Sequence, residues 1–205
     1  MSEINAEVMR SRSCARAFRT MMWAFLFFLP LPIPVAGVRP DLVGWLLVLV
    51  ALRPVVRLHP GVRSLRTPAM VGLALWVSRL LVHHVATETQ EQLSLALYLA
   101  TWAVLTVFVW KVCSLVAEMA AQAGATALRS SASWRRWLCV GPFLLLALGA
   151  ELSGKAQLPV VLLFLVAATC VVSLLMGLMA STARMCAQAS QAVPEEEGLS
   201  GGFDA

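Results

Sequence analysis

The sequence predicts an all-α protein, a polytopic bundle of about six transmembrane helices with both termini in the cytoplasm. Three observations support this fold class: an unusually apolar composition, a series of apolar stretches, and basic residues concentrated between alternate stretches. The chain is 60% hydrophobic and 13% charged over 205 residues, and its mean hydropathy is +0.79. Soluble domains are typically about 45–50% apolar and about 25% charged, so the composition indicates a bilayer protein.

The apolar stretches have the length of membrane-spanning helices. A bilayer core about 30 Å thick requires roughly 20 apolar residues in a helix, with about 17 as the lower limit. Helix is the expected state because backbone groups in lipid must find their hydrogen bonds within the segment. The predicted spans are residues 18–36, 41–57, 68–87, 93–116, 137–152 and 158–181.

The distribution of basic residues predicts the orientation. Short loops rich in Lys and Arg face the cytoplasm, and the outer loops of this chain hold only Arg39 and Lys155. The alternation of charge agrees with the six predicted spans and puts both termini inside. The basic residues predicted on the cytoplasmic side are Arg10, Arg12, Arg16, Arg19, Arg53, Arg57, Arg63, Arg66, Arg129, Arg135, Arg136 and Arg184.

The chain is expected to form one transmembrane helical domain, residues 1–190, followed by a disordered tail. The tail, residues 191–205, is acidic and rich in glycine. Apolar, helix-forming residues continue from Leu93 to Leu128, about 50 Å at 1.5 Å per residue, which is longer than the membrane is thick. The fourth helix is therefore expected to project into the cytoplasm, with Lys111 near the inner headgroups.

The segment Arg39-Pro40-Asp41, a proline between two charged residues, leads into the second span. Pro40 suits the first turn of a helix, where its missing N–H is not needed. Asp41 can accept hydrogen bonds from the free amides of that turn and complement the helix dipole. Gly44 can allow close approach of another helix. We expect the second helix to begin at Pro40 and Asp41.

The segment FLFFLPLPIPVAGVRPDLVGWLLVLVALRPV resembles the start of a group of small uncharacterised bacterial multi-pass membrane proteins. In that group an apolar first helix is followed by a turn and a PDxxGxxL-type start to the second helix. The matching residues here are Pro40, Asp41, Gly44 and Leu47, whereas Arg39 stands where the group often has an apolar residue. The resemblance implies a multi-pass fold in the bacterial inner (plasma) membrane, and it implies no activity.

Arg79 lies near the middle of the third predicted span, with His83 four residues later on the same helix face. A charged group at mid-bilayer costs roughly 2.5–3.5 kcal/mol, so it requires a partner or a function. Glu88, Asp41 and Glu151 are candidate carboxylate partners near the outer surface. One interpretation is an anion or proton site with Arg79 as the fixed charge and His83 as the titrating group. The other is an Arg–carboxylate tether between helices.

The sequence predicts no metal, no cofactor and no enzymatic activity. The adjacent His83 and His84 point to different faces of a helix, and none of the five cysteines forms a CxxC pair. No P-loop, HExxH or GxSxG motif and no nucleophile–base pair is visible.

The sixth span carries small residues at every fourth position: Thr169, Ser173, Gly177 and Ser181. Such a stripe lets another helix backbone approach closely. It can pack within the monomer, or it can pair the chain with a second copy or a membrane-protein partner.

Four arginines on the inner side are expected to attract anionic lipid, at about 1 kcal/mol per basic residue. They are Arg53, Arg57, Arg63 and Arg66. Because topology already explains these charges, no nucleic-acid partner is expected.

Two functions therefore remain open. The first is a small transporter, channel or accessory subunit that uses a polar site of Arg79, His83, Asp41 and Glu151 in the outer half of the bundle. The alternative is a non-catalytic membrane scaffold or complex-assembly protein, which uses the stripe and the projecting fourth helix.

Overall fold

A computed structural model of the chain describes residues 12–28, 40–55, 60–84, 90–138, 140–141 and 157–191. Within these ranges all regular structure is helical, as the composition predicts. The labelled helices are α1 (Arg12–Phe27), α2 (Pro40–Val55), α3 (Pro60–His84), α4 (Gln90–Gln122), α5 (Thr126–Leu138) and α6 (Gln157–Gln191).

Three of the described helices are long and apolar enough to cross a membrane. Their apolar segments are Gly61–Val82 in α3, Ala96–Gln122 in α4 and Val166–Ala189 in α6. Helices α1 and α2 have 16 residues each, just below the length of an independent span. The chain is thus a helical protein with the character of a membrane protein.

Helix α3 begins at Pro60, eight residues before the predicted start at residue 68. Its first turns are helical, although they carry arginines and are not wholly apolar. Pro68 lies inside the helix, where it has no N–H to donate to the carbonyl of Ser64. Lys111 Nζ on α4 donates to that carbonyl at 3.4 Å instead. A cation on a neighbouring helix thus compensates part of the defect that proline introduces.

Helix α4 ends at Gln122 rather than continuing to Leu128 as predicted. Gly124 has a φ of +70°, the left-handed conformation that glycine adopts at helix C-termini. The amide of Ala125 donates to the carbonyl of Ala120 at 2.8 Å, and that of Gly124 donates to Ala121 at 3.3 Å. These two bonds form a Schellman motif, which closes α4 and directs the chain into α5.

Two other predicted segments lie wholly or largely outside the described residues. Only residues 137–138, at the end of α5, and 140–141 of the predicted fifth span at 137–152 are described. The predicted tail is undescribed from residue 192 onward. Helix α6 extends to Gln191, ten residues past the predicted end of the sixth span at residue 181.

Aromatic side chains form the centre of the packing. Trp45 of α2 is fully buried, 4.8 Å from the ring of Phe28 and 5.8 Å from the ring of Phe108 between centroids. A Cβ at Gly72 of α3 would lie 2.4 Å from the Trp45 ring, and one at Gly44 would lie 2.8 Å from Phe28. Both positions require glycine because an indole or phenyl ring occupies the space of a side chain.

Contacts at the helix ends define the packing directions. Phe28 at the end of α1 meets Gly44 near the start of α2, and Asp41 meets Arg79 near the end of α3. Arg79 in turn lies over Tyr98 in the first third of α4, so helices α1 to α4 alternate in direction.

The end of the bundle where α1 and α3 begin is rich in arginine, and we call it the basic end. At this end Cys14 Sγ of α1 lies 2.9 Å from Cys186 Sγ near the end of α6. Four arginines of these helix ends have described side chains that are exposed: Arg16, Arg63, Arg66 and Arg184.

Candidate polar site

The polar site begins with the first turn of α2, at the end of the bundle opposite the basic end. Pro40 opens the helix and Asp41 follows it, as the sequence predicts. This position puts the Asp41 carboxylate near the unpaired amides of the helix N-terminus. The side chain of Asp41 is 25% exposed.

Helix α3 supplies two donors to this carboxylate. Arg79 Nη1 lies 3.8 Å from Asp41 Oδ2, and Trp76 Nε1 donates a hydrogen bond to Asp41 Oδ1 at 3.1 Å. Trp76 and Arg79 are three residues apart, so they project from the same face of the helix. Each oxygen of the carboxylate therefore faces a different side chain of α3.

Helix α4 supplies an aromatic face for the arginine. Arg79 Cζ lies 5.1 Å from the centroid of the Tyr98 ring, within the range of a cation–π interaction. The arginine side chain is 18% exposed. Its positive charge is thus balanced by the Asp41 carboxylate and the electron-rich face of Tyr98.

The structure brings together two of the four predicted site residues, Arg79 and Asp41. His83 lies in α3, but its side chain is outside the described set, and Glu151 lies outside the described residues. Sequence reasoning missed Tyr98 altogether. Tyr98 is the only tyrosine of the chain, which is a signal that could have drawn attention to it.

This arrangement tethers three helices. The Asp41–Arg79 ion pair joins the start of α2 to the late part of α3, and the contact between Arg79 and Tyr98 adds α4. Burying both charges together reduces the cost that either would have alone in an apolar environment. Chemically, the site is an ion pair with a hydrogen-bonded carboxylate.

An apolar cavity lies elsewhere in the bundle, between α1, α4 and α6. Phe25 and Phe28 line it from α1, Trp102 and Val109 from α4, and Val172 and Leu175 from α6. Asp41, Arg79, Trp76 and Tyr98 are not among the described residues that line this cavity.

The predicted small-residue stripe on α6 is exposed along its whole length. Thr169, Ser173, Gly177 and Ser181 all face away from the core, whereas Val172, Leu175 and Met179 on the other face are buried. A Cβ added at Gly177 would have no neighbour within 4 Å. No described helix therefore covers the stripe.

Three of the four arginines expected to attract lipid are exposed, namely Arg53, Arg63 and Arg66, and Arg57 lies outside the described residues. Among the residues that the structure describes, no group of three or more His, Cys, Asp or Glu side chains is arranged to hold a metal ion.

Comparison of the chain with known protein families, with curated proteins and with solved structures found no match.

Proposed function

We propose that the chain is a non-catalytic, multi-pass scaffold or assembly protein that pairs with another membrane helix through the stripe on α6. The observation that carries this proposal is the exposure of Thr169, Ser173, Gly177 and Ser181 on the face opposite the core. The stripe runs over twelve residue steps from Thr169 to Ser181, about 18 Å of helix, which is enough for a close helix–helix contact. Small side chains let two backbones approach, and close van der Waals packing drives association within lipid.

The proposed topology is six crossings of a bacterial inner membrane with the basic end in the cytoplasm. The alternating directions of α1 to α4 support it, as does the grouping of arginines at one end. Helix α5 follows the cytoplasmic end of α4, whereas the middle of α6 passes the end of α1 and the helix returns to the basic end at Cys186. The proposal therefore keeps the fifth crossing at residues 137–152, most of which lie outside the described residues. The resemblance at Pro40, Asp41, Gly44 and Leu47 supports the bacterial membrane.

A purified sample in mild detergent tests the scaffold function. The wild type is expected to elute as a complex larger than a monomer, measured by light scattering after size-exclusion chromatography. Gly177→Leu adds bulk in the middle of the stripe and is expected to remove the complex while leaving the amount of membrane protein unchanged.

Ala74→Leu is the matched control, because Ala74 is an exposed small residue in the membrane segment of α3. This variant is expected to retain the complex. A wild type that elutes as a monomer without partners, or a Gly177→Leu variant that keeps the complex, would contradict the scaffold proposal.

A second candidate function is a small transporter, channel or accessory subunit that handles a solute at Arg79. The observation in its favour is that both members of the ion pair are partly exposed, at 18% and 25% for Arg79 and Asp41. Under this function Arg79→Leu abolishes a solute flux in reconstituted vesicles and leaves the folded protein intact. Under the scaffold function, Arg79→Leu instead lowers the stability of the folded protein.

A further inference from the structure

Helix α5 is a short amphipathic helix that follows the basic end of α4. Its last turn carries Arg135 and Arg136, and Ala132 is its buried residue. Trp134 and Trp137 are 60% and 62% exposed. Tryptophan side chains that are exposed beside arginines are typical of the membrane–water interface, where an indole has an apolar body and a polar N–H.

The Arg136 guanidinium packs against two indole rings that touch each other. Its Cζ lies 5.2 Å from the centroid of Trp110 on α4 and 6.0 Å from that of Trp137 on α5. The two indoles contact each other edge to face at 4.8 Å, which fixes their orientation. We call Trp110, Arg136 and Trp137 the Trp–Arg clamp.

Among the described residues, the arginine of the clamp has no anionic partner. Arg136 Nε is buried and has no hydrogen-bond acceptor among the described residues. No carboxylate in the described part of the chain lies within 4.0 Å of this guanidinium, in contrast to Arg79 and its partner Asp41. A buried donor without an acceptor costs about 1–3 kcal/mol, and more when it carries charge, so an acceptor from outside the described residues would stabilise this group.

The surroundings of the clamp indicate which acceptor fits. Arg135 precedes Arg136 in the last turn of α5, and Lys111 is the neighbour of Trp110 on α4. A planar guanidinium binds phosphate oxygens in a bidentate manner, and the nearby positive charges attract anions. The exposed indoles fit the acyl and glycerol part of a lipid rather than a freely soluble anion.

We propose that the Trp–Arg clamp binds the phosphate of an anionic phospholipid at the membrane surface on the basic end. The two indoles orient the guanidinium of Arg136 toward the headgroup, and Trp134 and Trp137 insert beside the lipid. This site is separate from the general attraction of Arg53, Arg57, Arg63 and Arg66 for an anionic surface, because it depends on one oriented arginine.

Native mass spectrometry of the detergent-purified protein, titrated with phosphatidylglycerol, measures this binding. Arg136→Gln is expected to weaken phosphatidylglycerol binding by about tenfold or more, since it removes a charged donor pair. Arg129→Gln is the matched control, because Arg129 is an exposed arginine of the same helix outside the clamp. It is expected to weaken binding by no more than about fivefold, the contribution of one surface charge.

Equal weakening by Arg136→Gln and Arg129→Gln would overturn the proposal, because it would indicate a diffuse electrostatic attraction. Competition by inorganic phosphate at the concentrations at which the lipid binds would also overturn it, because the site would then select a free anion. Phosphatidylcholine, titrated in parallel, is expected to bind at least about tenfold more weakly than phosphatidylglycerol.

A second measurement on the wild-type protein does not depend on the folding of a variant. Brominated lipids quench nearby tryptophans, so brominated phosphatidylglycerol is expected to quench the fluorescence more strongly than brominated phosphatidylcholine at equal concentration. The difference is expected to shrink in Trp137→Phe, which replaces one indole of the clamp with a phenyl ring and keeps Arg136. Equal quenching by both lipids in the wild type would overturn the proposal.

Discussion

At the scale of single residues, the ion pair between Asp41 and Arg79 shows how a charge is accommodated in an apolar helix. Arg79 lies 3.8 Å from one oxygen of the Asp41 carboxylate, and Trp76 donates a hydrogen bond to the other oxygen. Because both side chains are partly exposed, the pair contributes less than a fully buried one does. Its main effect is to hold the start of α2 against α3.

Removing one member of this pair is predicted to destabilise the fold. Arg79→Leu leaves the Asp41 carboxylate without its counter-charge, which we expect to cost about 1–3 kcal/mol and to lower the thermal midpoint in detergent. Asp41→Asn combined with Arg79→Leu is expected to recover part of the loss, because no uncompensated charge remains. An unchanged midpoint for Arg79→Leu, together with a lost solute flux, would favour the transporter function.

Gly72 provides a second prediction at this scale. Gly72→Ala introduces a Cβ 2.4 Å from the buried Trp45 ring, so the ring must move, at a cost of about 1–3 kcal/mol. Gly141→Ala is the matched control, because its Cβ meets no described residue within 4 Å and Gly141 lies outside the stripe. The thermal midpoints of the two variants, measured side by side, should differ clearly. Equal midpoints would show that Trp45 does not pack on Gly72.

The sequence could predict part of this residue-scale detail. Asp41 was a predictable partner for Arg79, because the proline before it marks a helix start near the outer end of the third span. Tyr98 and Gly72 were not predictable, because their contacts depend on the rotation and register of helices that are distant in sequence. Hydropathy and spacing describe one helix at a time and do not determine which faces meet.

At the scale of elements, helix ends were harder to predict than helix existence. The alanine-rich run through Leu128 suggested a continuous fourth helix, but Gly124 adopts a positive φ and ends it. Conversely, α3 and α6 extend past their predicted spans because helices continue beyond the apolar part of the sequence. Hydropathy locates the membrane-embedded part of a helix, whereas caps and prolines locate its ends.

The packing of α1 against α6 can be tested through their cysteines. Cys14 Sγ and Cys186 Sγ lie 2.9 Å apart and both side chains are buried. A mild disulfide oxidant such as diamide is therefore expected to join them within one chain; the two thiols lose two electrons and two protons, and diamide is reduced to its hydrazine. Mass spectrometry of the non-reduced digest detects the linked peptides.

Cys14→Ser is the control, since it is expected to abolish this link while the exposed Cys170 stays available to alkylation. An oxidised sample in which Cys14 and Cys186 remain separately alkylated after denaturation would contradict the contact between α1 and α6.

At the scale of the whole molecule, composition was sufficient to predict an all-helical protein. It was not sufficient to predict what each helix face contacts. A chain that is 60% hydrophobic is expected to be helical in lipid, and three described helices have the length and hydropathy of spans. The spacing of Thr169, Ser173, Gly177 and Ser181 indicated a contact face without saying what it contacts. The structure turns this face away from the described core, which leaves it available to a partner.

The orientation of the bundle underlies every inference about the membrane surface, and residue labelling tests it most directly. In a cysteine-free background, Ser2→Cys, Ala205→Cys and Thr89→Cys report on the two termini and on the predicted loop between the third and fourth spans. We predict that an impermeant maleimide labels Thr89→Cys in intact cells and labels both terminal cysteines only after lysis. Labelling of either terminus in intact cells, with Thr89→Cys protected, would contradict the account.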